Sequence, residues 1–371
     1  MSFRKRNTVI HAPMPSSPSQ TDNRETLPGT RPSPLDGRLT TSTGTSSLDQ
    51  LLAGHAGLPL GSSLLIEESG TTDFGGVLLR YFAGEGLVQG HQVHVLGVGE
   101  AWRRELPGLV QAKEQPPHTQ SSPSASKMKI AWRYETLGSQ SNSKGTSTTQ
   151  PPQFCNYNIN NRNQRLGADC VRGRLLTYPT RDTAKLGSQS IFPNFISELR
   201  SNLKASSLVH RVIIPNLLSP AAYPATACKP DEVLRFLHSL QSLLRQFPSQ
   251  LATVVSLPIS LHPRHSGLCK WMELLFDGVV ELVPLKQLTY AKEIRAEESK
   301  AQGLVRVHKL PIFHEKGGGM EGCWKREDMS FRLSASNGLV IMPFSLPPVG
   351  LDEESRSSSH SEQSKKQDLN F

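Results

Sequence analysis

The chain has 371 residues, a hydrophobic fraction of 36% and a formal net charge of +9 at pH 7. With 27 prolines, this composition predicts one folded domain of roughly 200–250 residues surrounded by low-complexity segments. No apolar run approaches the roughly 18 residues that span a bilayer, and the N-terminus lacks the apolar core of a signal peptide, so a soluble intracellular protein is expected. The five cysteines are scattered without a C-x-x-C pair, and their odd number argues against a disulfide framework. The basic charge favours contact with polyanions.

Three segments are predicted to lie outside regular structure because they are rich in Ser, Pro, Thr or charge and have no apolar period. The first is a flexible arm, residues 1–36, which carries the basic cluster Arg4–Arg6. The second is an insert at about residues 114–153, interrupted by the more regular "KMKIAWRYE". The third is a tail at residues 351–371. A single domain is therefore expected over residues 37–350.

The first half of this domain predicts two buried strands joined by a helix. The strands are "SLLIEE" (63–68) and "HQVHVLGV" (91–98). The helix between them is predicted to loosen at Gly84 and Gly86. Its expected buried face consists of Val77, Leu78, Tyr81 and Phe82.

The second half continues the alternation of helices and strands. Helices are predicted in "IFPNFISELRSNL", with a face of Phe192, Phe195, Ile196, Leu199 and Leu203, and in "KPDEVLRFLHSLQSLLRQFP", with Val233, Phe236, Leu237, Leu240, Leu243, Leu244 and Phe247. Strands are predicted in "LVHRVIIPNL" and "LATVVSLPI", followed by a short helix around Trp271–Phe276. The final segments "DGVVELVP", "GLVRVHKLP" and "FRLSASNGLVIMPF" are expected to form an antiparallel edge. The fold class is therefore α/β, a mainly parallel twisted sheet with helices on both faces and an antiparallel C-terminal edge.

The loop Ser69–Gly75 follows the first strand, where a sheet of this kind binds ligands. A working phosphate loop reads G-x-x-x-x-G-K-[ST], but "DFG" (73–75) occupies the region where Gly-Lys-Thr would be expected. Backbone N–H groups at the start of the next helix still offer an anion site, for which the candidates are Gly70, Thr71, Thr72 and Gly75. The alternative is a structural strand-to-helix turn without a ligand.

A second part of an ATPase site, an acidic residue at the end of a buried strand, is also missing. The strand "RVIIPNLLSP" ends in Pro215 and Asn216 instead. Glu100 follows "VHVLGVG", which we expect to be the neighbouring strand, and is the candidate for polarising a water molecule. Its alternative is an exposed surface residue. No catalytic residue is predicted.

Two further patterns are typical of binding sites. His262, His265 and Cys269 have an H-x-x-H-x-x-x-C spacing, but no fourth ligand lies nearby and no metal site is predicted. Some arginines are candidates for contacting a neighbouring subunit's phosphate, with surface charge as the alternative for each. These arginines are Arg80, Arg103, Arg104, Arg211 and Arg332.

The segment "STGTSSLDQLLAGHAGLPLGSSLLIEES" resembles the sequence that leads into the first core strand of RecA-like domains, through Thr43, Gly44, Ser47, Leu48, Asp49, Gly57, Pro59 and Gly61. More narrowly, "MSFRKRN", the "RPSPLDGRLTTSTGTSSLDQLL" block, "KMKIAWRYE", "VIIPNLLSP" and "FRLSASNGLVIMPFSLPP" resemble the PAXNEB protein family, which supplies the fourth subunit of the Elongator complex. The resemblance covers most of the chain outside the low-complexity segments.

This resemblance implies a RecA-like subunit without a functional phosphate-loop lysine. It implies a hetero-hexameric ring with the fifth and sixth Elongator subunits, two copies of each, which binds tRNA and supports carboxymethyl-type modification of the wobble uridine. The chemistry belongs to the catalytic subcomplex, so the resemblance implies an accessory chain in the cytoplasm and nucleus that is not itself an enzyme. It implies no cofactor of this chain alone, with ATP at ring interfaces left open.

Two alternatives from other classes remain. The first is a RecA-like ATPase that works through its degenerate phosphate loop, which requires Thr71 or Thr72 and Glu100 to matter for turnover. The second is a free nucleic-acid binder that uses the basic arm, which requires a steep loss of affinity with salt.

Overall fold

A computed structural model describes residues 27–69, 71–109, 154–155, 170–180, 191–285, 301–312, 329–334 and 338–344. The predicted insert, the predicted C-terminal tail and most of the predicted N-terminal arm lie outside these residues. The part of the arm that is described contains strand β1, which pairs antiparallel with β2. Within the described ranges, no helix has the length and apolar character that crossing a bilayer requires.

The described elements alternate along the chain in the predicted manner. The α-helices are α1 (Ser46–Leu51), α2 (Phe74–Gln89), α3 (Ile191–Ala205), α4 (Pro230–Gln246) and α5 (Gly267–Leu275), and a 3-10 helix covers Glu100–Glu105. The strands are β1 (Thr30–Pro32), β2 (Leu39–Thr41), β3 (Leu58–Pro59), β4 (Ser63–Glu68), β5 (Gln92–Leu96), β6 (Gly108–Leu109), β7 (Phe154–Cys155), β8 (Arg174–Tyr178), β9 (His210–Ile214), β10 (Leu251–Pro258), β11 (Gly278–Pro284), β12 (Gly303–Lys309), β13 (Met329–Ser334) and β14 (Gly338–Pro343).

The main sheet has nine strands in the order β14-β13-β12-β11-β4-β10-β9-β5-β8. Neighbouring strands run parallel from β11 to β8 and antiparallel from β11 to β14. The predicted fold class is therefore confirmed, including its antiparallel edge. The segment 331–344 contributes to two strands that form a hairpin, and Gly338, whose φ is 67°, begins the return strand.

Side chains of β4 alternate between the two faces of the sheet. Leu65 belongs to a core that contains the predicted faces of α3 and α4. Leu64 and Ile66 belong to a second core that includes α1 and α2. Helices thus cover both faces, as predicted, and β4 lies at the centre of the sheet with its carboxyl end between α2 and α5.

The prediction that α2 loosens at Gly84 and Gly86 is wrong, because α2 continues to Gln89. Both glycines are buried, and a Cβ at Gly86 would lie 2.6 Å from Cδ of Arg211. The glycine therefore makes room for a side chain that crosses the core, and the helix ends instead at Gly90, whose φ of 87° is left-handed.

Arg211 was a candidate for contacting a neighbouring subunit, and this prediction is also wrong because its side chain is fully buried. Its guanidinium donates to Ser42 O at 2.9 Å, to Phe82 O at 2.8 Å, to Thr41 Oγ1 at 2.6 Å and to His91 Nδ1 at 2.9 Å. Burial lowers the pKa of Arg211 to about 10. The arginine therefore fixes the N-terminal strands to the main sheet.

Candidate functional site

Strand β4 ends in two consecutive glutamates that point to opposite faces of the sheet. Glu67 is fully buried and Glu68 is 1% exposed. Strand alternation places Glu68 on the same face as Leu64 and Ile66, towards α2. Glu67 lies on the face of Leu65, towards α5. The end of this strand is where a RecA-like domain would bind phosphate, so these carboxylates define the candidate site.

Glu68 contacts the beginning of α2. Its Oε2 atom accepts a hydrogen bond from Gly75 N–H at 2.8 Å, and the Thr72 hydroxyl lies 3.4 Å from the same oxygen. The backbone N–H of Phe74 also stabilises this carboxylate. The first N–H groups of a helix have no partner inside the helix and carry its positive dipole end, so they bind anions. Here the anion is a side chain of the same chain.

Burial raises the pKa of the Glu68 carboxyl group to about 7. The Gly75 N–H bond lowers this pKa, and the nearby charge of Asp73 raises it. Among the described residues, the other oxygen of Glu68, Oε1, has no hydrogen-bond partner. A Cβ at position 75 would lie 2.8 Å from Oε1, so the absence of a side chain at Gly75 leaves the space that this carboxylate fills.

The sequence-predicted loop residues have different surroundings. Thr71 is exposed, and its hydroxyl lies 3.4 Å from the Ser69 hydroxyl. Thr72 is half-buried and turns back to Ser69, whose carbonyl accepts bonds from its N–H and its hydroxyl, both at 3.0 Å. Gly75 is buried at the contact with Glu68. Gly70 lies outside the described residues. The structure therefore brings Thr72 and Gly75 together around a carboxylate.

A cavity of about 350 Å³ lies beside this loop, along the first turns of α2. Its polar groups are Asp73, Arg80 and Glu105, and its apolar lining includes Phe74 and Leu333. Arg80 donates to Asp73 Oδ2 at 2.6 Å and lies 3.4 Å from Glu105 Oε2. Arg80 is therefore held between two carboxylates, in a cavity whose charged lining is net negative.

Strand β5, which ends before Glu100, pairs parallel with β9, so the expectation that it neighbours the strand "RVIIPNLLSP" is confirmed. Glu100 is exposed at the start of the 3-10 helix. At the end of β9, Asn216 has a φ of 46° and its N–H donates to Ser256 Oγ at 2.8 Å. No carboxylate thus follows β9 directly.

On the opposite face, Glu67 lies in a cluster that sequence reasoning missed. The Nε atom of Arg264 lies 2.9 Å from Glu67 Oε2 and 2.9 Å from Glu273 Oε1. Burial raises the pKa of Glu67 to about 7, with Glu273 raising and Arg264 lowering it. Cys269 also belongs to this cluster. Its Sγ atom and the carboxylate oxygens of Glu67 and Glu273 all lie within 4.8 Å of one another. Arg264 is the cation that the carboxylates of Glu67 and Glu273 share.

The residues around Glu67 come from segments that are distant in sequence, so spacing gave no signal for them. His262 and His265, which were considered with Cys269 as a metal pattern, are not in the described group of Glu67, Cys269 and Glu273. The glutamate pair "EE" at the end of a buried strand was the available signal for both buried carboxylates. Two charges at the end of an otherwise apolar strand require partners.

The strand order defines a doubly wound α/β domain, and the loop after β4 lacks the lysine of a phosphate loop. Residues 23–371 match the PAXNEB protein family. Because this match spans most of the sequence, the chain belongs to the PAXNEB family.

Relatives of the chain carry a common name. Elongator complex protein 4 of Schizosaccharomyces pombe is 31% identical over 348 residues, which cover 88% of this chain and 90% of the relative. Elongator complex protein 4 of Homo sapiens is 27% identical over 363 residues, covering 90% and 82% of the two chains. A solved KaiC-like protein of Pyrococcus horikoshii has a TM-score of 0.43 and 14% identity, covering 82% of this chain and 99% of that chain.

Proposed function

We propose that this chain is a non-catalytic, RecA-like subunit of the Elongator complex. The observation that carries this proposal is the similarity to proteins named Elongator complex protein 4 along most of both chains. In this proposal the chain forms a hetero-hexameric ring with the fifth and sixth subunits, and the ring binds tRNA and supports wobble-uridine modification by the catalytic subcomplex. It acts in the cytoplasm and nucleus.

The site supports a role in assembly over a role in hydrolysis. The phosphate-loop lysine is absent, and Glu68 accepts a hydrogen bond from an N–H group at the beginning of α2. Asn216 occupies the position after β9 where an ATPase has a carboxylate. Any ATP in the ring would therefore depend on residues of the neighbouring chains. The basic net charge of +9 supports contact with tRNA phosphates.

An exposed apolar surface on α5 supports assembly with other chains. Trp271 is 58% exposed and Leu274 is 67% exposed, while Cys269 and Met272 on the other side of the helix are buried. Large apolar side chains that lie together on a surface usually mark a protein interface. We propose that a ring neighbour covers this surface.

The test is to tag the chain in its own cells, purify it in mild salt and determine its partners by mass spectrometry and native mass. Recovery with two other RecA-like subunits in equal amounts, as a six-chain assembly that binds tRNA, is the expected result. Recovery alone or with unrelated proteins would contradict the proposal. Trp271→Lys should release partners, whereas Lys270→Ala on the same helix should retain them.

A further inference from the structure

We propose that the Glu68 carboxyl group occupies the anion-binding position at the beginning of α2. The chain thereby fills its own phosphate position, and removal of this carboxylate opens the position to small anions such as formate or pyrophosphate. This inference concerns the loop of this chain alone and does not depend on membership in the Elongator complex.

The first support is the contact itself. Oε2 of Glu68 accepts from the Gly75 N–H at 2.8 Å and lies 3.4 Å from the Thr72 hydroxyl. A phosphate oxygen in a functional loop receives backbone N–H and hydroxyl bonds of the same kind. An external anion would have to displace a carboxylate that is 1% exposed and covalently attached to the site.

The second support is the oxygen that makes no bond. Oε1 of Glu68 is buried without a hydrogen-bond partner among the described residues. A carboxylate placed only to cap a helix would gain from exposing this oxygen to water. Instead Oε1 and Cδ of Glu68 fill the space left by Gly75, so the side chain occupies a volume as well as a hydrogen-bond position.

The third support is the charge around the loop. Asp73 is the residue before α2 and makes no side-chain cap bond, so the helix does not use it as its anion. Its exposed carboxylate pairs with Arg80, which leaves no described lysine or arginine directed at Glu68. The Glu68 carboxyl group is therefore held at this position by backbone and hydroxyl groups rather than by a side-chain cation.

The experiment compares the melting temperatures of the wild-type full chain, Glu68→Ala and Asp73→Asn in formate, pyrophosphate or chloride of equal ionic strength. Glu68→Ala should melt lower than wild type in chloride. An anion at about ten times its dissociation constant should raise the melting temperature of Glu68→Ala by roughly 3–5 °C. Wild type and Asp73→Asn should not respond, because Glu68 still occupies the site in both.

Asp73→Asn is the matched control because it removes a negative charge from the same end of α2 and leaves Glu68 in place. An equal response of this control or of wild type would overturn the proposal, as would a Glu68→Ala chain that responds to neither anion. If Glu68→Ala does not fold, Glu68→Asp provides the second variant. Its carboxylate is one methylene shorter, so it should show a smaller anion response, and no response would overturn the proposal.

Discussion

The two carboxylates at the end of β4 are adjacent in sequence but are stabilised in different ways. Glu67 has a side-chain cation, with Arg264 Nε 2.9 Å from its Oε2 atom. Glu68 has backbone donors, with Gly75 N–H 2.8 Å from its Oε2 atom. Burial raises the pKa of both to about 7. The comparison shows that one strand end can be closed on one face by an ion pair and on the other by a helix N-terminus.

Breaking the ion pair between Arg264 and Glu67 should have the largest effect on the free energy of unfolding. Arg264→Gln leaves Glu67 and Glu273 without their shared cation, and removing one partner of a buried pair costs about 3–5 kcal/mol. Arg264 is 33% exposed, so we expect about 3 kcal/mol, at the low end of that range. Urea unfolding measures this as a lower midpoint with an unchanged slope. Arg235→Gln, at an exposed ion pair on α4, is the control and should change stability by less than about 0.5 kcal/mol.

The contribution of Glu68 to the stability of the chain should depend on pH. Because the folded pKa of about 7 lies above the reference value of 4.5, the folded chain holds the proton more tightly. The stabilisation from Glu68 is then complete below pH 4.5 and is lost as the pH rises to about 7. Glu68→Gln removes this contribution. The difference in the free energy of unfolding between the variant and wild type should therefore change by about 2–3 kcal/mol between pH 4.5 and 7.

This pH prediction is measured by urea unfolding of both chains at intervals between pH 4.5 and 7. The depressed pKa values of His91, His94 and His210 act on both chains and cancel in the difference. Glu105→Gln, at an exposed glutamate, is the control and should follow wild type. A parallel course of Glu68→Gln and wild type would show that Glu68 does not titrate in this window.

Glu68→Ala should destabilise the chain less than Arg264→Gln. It removes the acceptor of Gly75 N–H but also removes a carboxylate that is costly to bury. We expect a loss of about 1–2 kcal/mol in urea unfolding. Glu68→Gln retains an acceptor oxygen, so at pH 7 it should lose less stability than Glu68→Ala. A larger loss for the glutamine variant would contradict the hydrogen-bond explanation.

Asp73→Ala should have the smallest effect. Asp73 is 59% exposed and its contact with Arg80 is a surface ion pair. Such pairs contribute about 0–1 kcal/mol. We expect a change below about 0.5 kcal/mol in thermal or urea unfolding, and a loss as large as that of Glu68→Ala would assign the capping role to Asp73 instead.

The fold was largely predictable because it depends on local apolar patterns. The buried faces of α3 and α4 followed directly from their spacing, and strand β4 from an apolar run. The prediction that α2 loosens at Gly84 and Gly86 was wrong because glycines usually interrupt helices, whereas Gly86 accommodates Arg211 from a distant strand.

The position of the candidate site was predictable from the sequence, but the residue that occupies it was not. The loop after β4 and its missing lysine were evident, whereas the carboxylate that occupies it was not. Glu68 lies outside the phosphate-loop pattern, and its contact with Gly75 depends on how the strand meets the helix. The Arg264 cluster was missed because its members come from β4, β11, α5 and the loop before α5, which only the folded chain brings together.

The most direct test of the account is photolabelling of the purified assembly with an ATP analogue whose photoreactive group is attached to the γ-phosphate, followed by peptide mapping. If Glu68 closes the phosphate position, residues 64–82 of this chain should carry no ATP-competable label, even where other chains are labelled. Specific labelling of that segment, lost with excess ATP, would contradict the claim that this chain fills its own phosphate site.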